Sequence, residues 1–132
     1  MSKLLLQIIN GLIGLLVVVL GTVQVVFGVN SPLYAEANLP AFPILDSNLR
    51  FFGGMGLGLG LILLWITPRI EHHRVLFIAV WLCAWIGGVG RLISWPIVGA
   101  PSTMLISFTI LEVIGAPLLI YWQGKIAGSQ ID

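Results

Sequence analysis

Four long apolar runs make up most of the chain: residues 4–29, 51–67, 75–95 and 103–122. A hydrocarbon layer about 30 Å thick is crossed by about 20 apolar residues at about 1.5 Å rise each, so each run predicts a membrane-spanning helix. The pattern therefore predicts an all-α membrane protein: one four-helix transmembrane bundle covering residues 1–132. The connections fall at 30–50, 68–74 and 96–102, and the first of these is the long outer one. Within it, Ser31-Pro32 has the form of an N-cap followed by proline at the first helical position, which predicts a short helix to about Asn38, ended near Pro40. This apolar segment is expected at the outer mouth of the bundle, as interfacial packing or as a lid.

Composition supports the same reading. Of 132 residues, 58% are hydrophobic and 8% charged, against roughly 25% charged in a soluble domain; mean hydropathy is +1.08. A net charge of +1 gives no reason to invoke nucleic acid. Cys83, the one cysteine, has no partner for an intrachain disulfide or a CxxC pair. The first run also exceeds the roughly 7–15 apolar residues of a signal-peptide core, so it is expected to be retained as a span.

Lys3, Arg69, Arg74 and Lys125 fall on one side of the spans, against Arg50 at the opposite boundary. Because basic residues are retained on the inner side, both termini are expected to be cytoplasmic. Trp65 and Tyr121-Trp122 then sit at the inner interface and Trp95 at the outer one.

Phe51-Phe52-Gly53-Gly54-Met55-Gly56-Leu57-Gly58-Leu59-Gly60 invites comparison with nucleotide-binding loops. Neither G-x-G-x-x-G nor G-x-x-x-x-G-K-[ST] fits it, and its surroundings are a membrane span. In a helix, Gly53, Gly56 and Gly60 share one side, with Gly54 and Gly58 as a small-xxx-small pair beside them. Gly14, Gly21 and Gly28 recur every seven residues in the first span, and Ala84, Gly87, Gly88 and Arg91 share a face of the third. Gly53, Gly54, Gly58, Gly87 and Gly88 are thus expected to serve close helix packing, within one chain or between copies.

Arg50, Arg91 and Glu112 are ionisable groups in or beside apolar helix. A charge at the bilayer centre costs at least about 2.5–3.5 kcal/mol, so such groups face other helices and find partners. Glu112 has Gly115 and Ala116 at i+3 and i+4, and Arg91 lies on the small-residue face. Helix side chains lean toward their own N-terminus, and the third and fourth spans run in opposite directions, so Arg91 and Glu112 lean toward the same depth. Asp46 is placed either to pair with Arg50 or, with Ser47, to cap the second helix. The expectation is one polar cluster of Arg50, Arg91 and Glu112 with Asp46 and Ser94, read either as a register-fixing ion pair or as a ligand or ion site. Pro117 removes a hydrogen bond to the Val113 carbonyl and predicts a local kink.

Other chemistry lacks its residues. His72 and His73 have no third ligand nearby, so no metal site is expected, and no histidine lies within a span to hold haem. Ser94, Ser102, Thr103 and Ser107 have no membrane histidine or lysine as base, so no catalytic residue and no enzyme activity are expected. Trp81 and Trp85, one turn apart, read as packing or as a stacking platform.

Taken together, Asn48-Leu49-Arg50 with Gly53-Gly54, Gly90-Arg91-Leu92-Ile93-Ser94, Gly99-Ala100-Pro101 and Leu111-Glu112 resemble a family of small bacterial membrane proteins classed as a domain of unknown function. Val98 before Gly99 departs from the pattern, where a polar residue is expected. The resemblance implies four helices in the bacterial inner membrane, with an architectural analogy to the DoxX type, and no established activity or cofactor. The resulting expectation is a non-enzymatic binding or accessory protein. Its outer-leaflet polar site would engage membrane lipid, a quinone-like or anionic small molecule, or a partner helix, including that of a second copy. The alternatives are a small proton-coupled transporter using Glu112 and a structural subunit of a larger membrane complex.

Overall fold

The computed structural model describes residues 2–128, which form helices and connecting turns with no strand among them. The helices are α1 (Lys3–Phe27), α2 (Pro43–Ile66), α3 (Arg74–Val98), α4 (Thr103–Ile110) and α5 (Ala116–Gly128). A π turn at Leu111–Gly115 joins α4 to α5 without a break, so the described residues hold four helical segments long and apolar enough to cross a membrane. Their large apolar side chains stay mostly outside: Leu12, Ile44 and Val75 are 63%, 79% and 81% exposed. A water-soluble monomer rarely leaves so many large apolar side chains uncovered. Contacts divide the chain into two compact units, one of residues Ile8–Pro68 and one joining the residues up to Gln7 to those from Arg69 onward.

The first unit is an antiparallel hairpin of α1 and α2. Glycines spaced by seven on each helix make the contact: a Cβ on Gly21 would lie 2.5 Å from the Leu57 nitrogen, and one on Gly60 2.8 Å from the Val18 nitrogen. Gly53 is covered by the Gln24 side chain in the same way. Bare backbone allows this approach, and van der Waals contact then holds helices that no hydrophobic drive brings together in lipid. Gly54 makes only ordinary contact with Val25, and a side chain on Gly56 or Gly58 would meet nothing within 4 Å. The face of Gly54 and Gly58 therefore does not meet α1, because the seam follows the Gly53–Gly60 repeat around the helix. At the far end of the hairpin, buried Asn10 donates to the Leu63 carbonyl (3.1 Å) and to Thr67 Oγ1 (2.8 Å).

α2 begins about two turns before the expected boundary at residue 51. Pro43 occupies the first turn, where its fixed φ suits a helix and its missing N–H is not needed. Asp46 follows in that turn, favoured by the positive end of the helix dipole, so Asp46 and Ser47 lie inside the helix rather than capping it from outside. The connection before it holds a 3₁₀ helix, Pro32–Ala37, with the Ser31 hydroxyl accepting from the Leu33 N–H and Asn38 in the left-handed conformation at its end.

In the second unit α3 packs against α5 and the π turn. Phe77, Val80 and Trp81 of α3 and Ala116, Leu119 and Ile126 of α5 are buried, with the Phe77 and Trp81 rings 6.1 Å apart. Gly88 lies against the Glu112 side chain, whereas a side chain on Gly87 would meet open space. The kink expected from Pro117 takes the form of the π turn. Pro117 has no N–H to give the Val113 carbonyl, and the chain absorbs this with a wider turn in which the Ala116 N–H bonds Leu111 O. α3 continues through Pro96 to Val98 and stops at Gly99, whose φ of +99° suits glycine.

Candidate functional site

The ionisable residues within apolar helix form two ion pairs, one in each unit. In the first, Arg50 Nε donates to Asp46 Oδ2 at 2.7 Å, one helical turn away. The same guanidinium donates through Nη1 to the carbonyls of Val25 (2.7 Å) and Val26 (2.8 Å). These carbonyls belong to the last turn of α1, where helix geometry leaves acceptors without intrahelical donors and the dipole favours a cation. Asp46 Oδ1 in turn accepts the Val29 N–H at 3.0 Å. Gly28, at φ +54°, turns the backbone so that these groups meet, and a Cβ there would overlap the Asp46 carboxylate. Arg50 and Asp46 therefore form a clip that closes the end of α1 onto the start of α2.

In the second unit, Arg91 Nε lies 3.2 Å from Glu112 Oε2, with the side chains 40% and 22% exposed. The opposed lean of these two side chains on α3 and the π turn brings them together. Gly88 makes the room, since a Cβ at that position would lie 2.7 Å from Glu112 Cβ. Contact is electrostatic rather than a formed hydrogen bond: Glu112 Oε2 is buried without a hydrogen-bond partner, as is the Trp95 indole N–H one turn beyond Arg91. Buried polar atoms are nearly always satisfied, so these two atoms, one in the π turn and one on α3, are exceptions to the rule. Ser94 is exposed, and among the described residues no hydrogen bond joins it to the pair.

Further polar contacts escaped a sequence search confined to ionisable groups. Gln123, fully buried, donates to the Ile70 carbonyl at 2.9 Å and accepts from Arg74 Nη1 at 3.2 Å. Buried Gln24 donates to the Gly28 carbonyl at 3.1 Å. The available signal was an amide inside an apolar run, which is costly to bury unpaired although it carries no charge. Lys3 binds Glu71 at 2.7 Å, and His72 lies 3.5 Å from the same carboxylate. Among the described residues no three side chains of metal-ligand type gather.

Helices of this length and apolarity, with Arg50 paired to Asp46 in one unit and Arg91 to Glu112 in the other, define a small helical protein suited to repeated membrane crossing. The chain belongs to the DUF4345 family, a domain of unknown function, whose sequence profile matches residues 5–123. No curated protein and no solved structure matches the chain.

Proposed function

We propose that this is a non-enzymatic multi-pass protein of the bacterial inner membrane, termini cytoplasmic, that binds the polar head of a lipid-like ligand or a polar group of a partner helix at Arg91 and Glu112. The observation that carries the reading is the pair itself: a half-buried guanidinium and carboxylate at 3.2 Å, with Glu112 Oε2 unsatisfied. Asp46 offsets the charge of Arg50, so the positive excess expected from two arginines and one carboxylate is reduced to a neutral pair. A neutral pair presents donors and an acceptor together, which suits a carbonyl- or hydroxyl-bearing head, such as that of a quinone-like molecule.

The test is mass spectrometry of lipids and partners retained by the full chain from mild detergent. Arg91→Ala and Glu112→Gln are expected to lose a ligand that Ser94→Ala keeps. Unchanged retention in folded Arg91→Ala would sink the proposal.

One observation favours a second reading. Glu112 sits in a π turn, a feature common at functional sites, and its carboxylate lacks a hydrogen bond. A carboxylate so placed suits an exchangeable proton in a small transporter. Liposome flux that ignores both a pH gradient and Glu112→Gln would exclude it.

A further inference from the structure

At the opposite end of α3 from Arg91, an open groove of about 690 Å³ runs along α3 and α5, in the size range of ligand sites of roughly 300–1,000 Å³. Its walls are apolar, formed by Leu82 and Trp85 of α3 with Pro117 and Ile120 of α5. Its mouth is cationic: Arg74, the first residue of α3, and Lys125, near the end of α5, both line it, and no carboxylate does.

The arginine is held in place. Arg74 Nη1 donates to Gln123, which is fully buried and itself tied to the Ile70 carbonyl, and the guanidinium lies over the bare backbone of Gly124, where a Cβ would stand 2.6 Å from Nη1. Gln123 is neutral, so this contact orients the guanidinium without cancelling its charge. The acidic residue closest in sequence, Glu71, is engaged by Lys3 at 2.7 Å. Lys125 Nζ stands 5.5 Å from the Tyr121 ring centroid, a contact that also leaves its charge uncompensated.

Dimensions select the occupant. From Arg74 to Trp85 the helix rises about 16 Å, close to one leaflet of a hydrocarbon core about 30 Å thick. Two cations at headgroup level above an apolar channel one leaflet deep match an amphiphile with an anionic head and a long acyl chain. We infer that this groove is a seat for an anionic phospholipid, its phosphate between Arg74 and Lys125 and one acyl chain along Leu82, Trp85, Pro117 and Ile120. The site is independent of Arg91 and Glu112.

The test uses the full chain in mild detergent, with native mass spectrometry and thermal unfolding as readouts. Phosphatidylglycerol, phosphatidylcholine of the same acyl length and inorganic phosphate are added separately. Phosphatidylglycerol is expected to bind and stabilise more strongly than phosphatidylcholine, with inorganic phosphate having no effect. Lys125→Gln, which removes a charge but no hydrogen bond, is expected to reduce that preference by about fivefold, and Arg74→Lys to retain most of it. Trp85→Ala is expected to weaken both lipids alike. Equal binding of the two lipids, equal stabilisation by free phosphate, or full preference retained in Lys125→Gln would each overturn the assignment.

Discussion

Arg91 Nε and Glu112 Oε2 approach to 3.2 Å between α3 and the π turn, yet the carboxylate oxygen makes no hydrogen bond. A pair with the oxygen buried and the guanidinium partly exposed stands between two regimes. Surface pairs contribute up to about 1 kcal/mol, while breaking a fully buried pair costs about 3–5 kcal/mol. Arg91→Ala is expected to destabilise by about 1–2 kcal/mol, and a double-mutant cycle with Glu112→Gln to return a coupling energy of similar size. Thermal or denaturant unfolding in one fixed detergent measures it; additive single mutants would show that the two groups do not interact.

The α1–α2 seam predicts opposite outcomes for two glycines on one helix. Gly60→Ala drives a methyl against the backbone at Val18, for an expected loss of about 1–3 kcal/mol. Gly58→Ala faces open space and replaces the weaker helix former, so stability should hold or rise by up to about 1 kcal/mol. Comparing the two unfolding midpoints decides whether this face is the packed one.

Asp46→Ala removes the acceptor of the Val29 N–H and the partner that orients Arg50 over the last carbonyls of α1. A destabilisation of about 1–3 kcal/mol is expected, with faster hydrogen exchange concentrated at residues 25–29. Exchange that rises evenly along α1 instead would contradict the clip.

Glu71 links stability to pH. The Lys3 ammonium, donating to it at 2.7 Å, holds its carboxyl below the ordinary value of 4.5, against the opposing effect of burial. With the folded-state pKa below the unfolded one, the stabilisation is fully present above the unfolded value and fades as pH falls through the lower folded value. The gap in unfolding midpoint between wild type and Glu71→Gln should therefore be widest near neutral pH and close as pH falls through the lowered folded-state value. A gap that persists in acid would assign the effect to packing.

The candidate site was legible in part. Arg91 and Glu112 stand out because a charge in an apolar run demands a partner, and the opposed directions of their helices place them at one depth. Arg50 stands out for the same reason, but its partners are two backbone carbonyls and a carboxylate in the first unit. No composition rule reveals that the last turn of α1 ends beneath it. Gln123 and Arg74 were missed as a pair because they lie far apart in sequence and only α3–α5 packing joins them.

The sequence by itself determined the four apolar segments, the Ser31-Pro32 start of the 3₁₀ helix and the seven-residue glycine repeat of α1. Each of these is a local property, set by transfer energies and backbone preferences summed over neighbouring residues. Tertiary structure alone decided which glycines lie in the seam, that Arg50 closes a helix end and that Gln123 aims Arg74 over the groove. Those outcomes depend on which helix faces meet and at what register, and register is settled by contacts between segments distant in the chain.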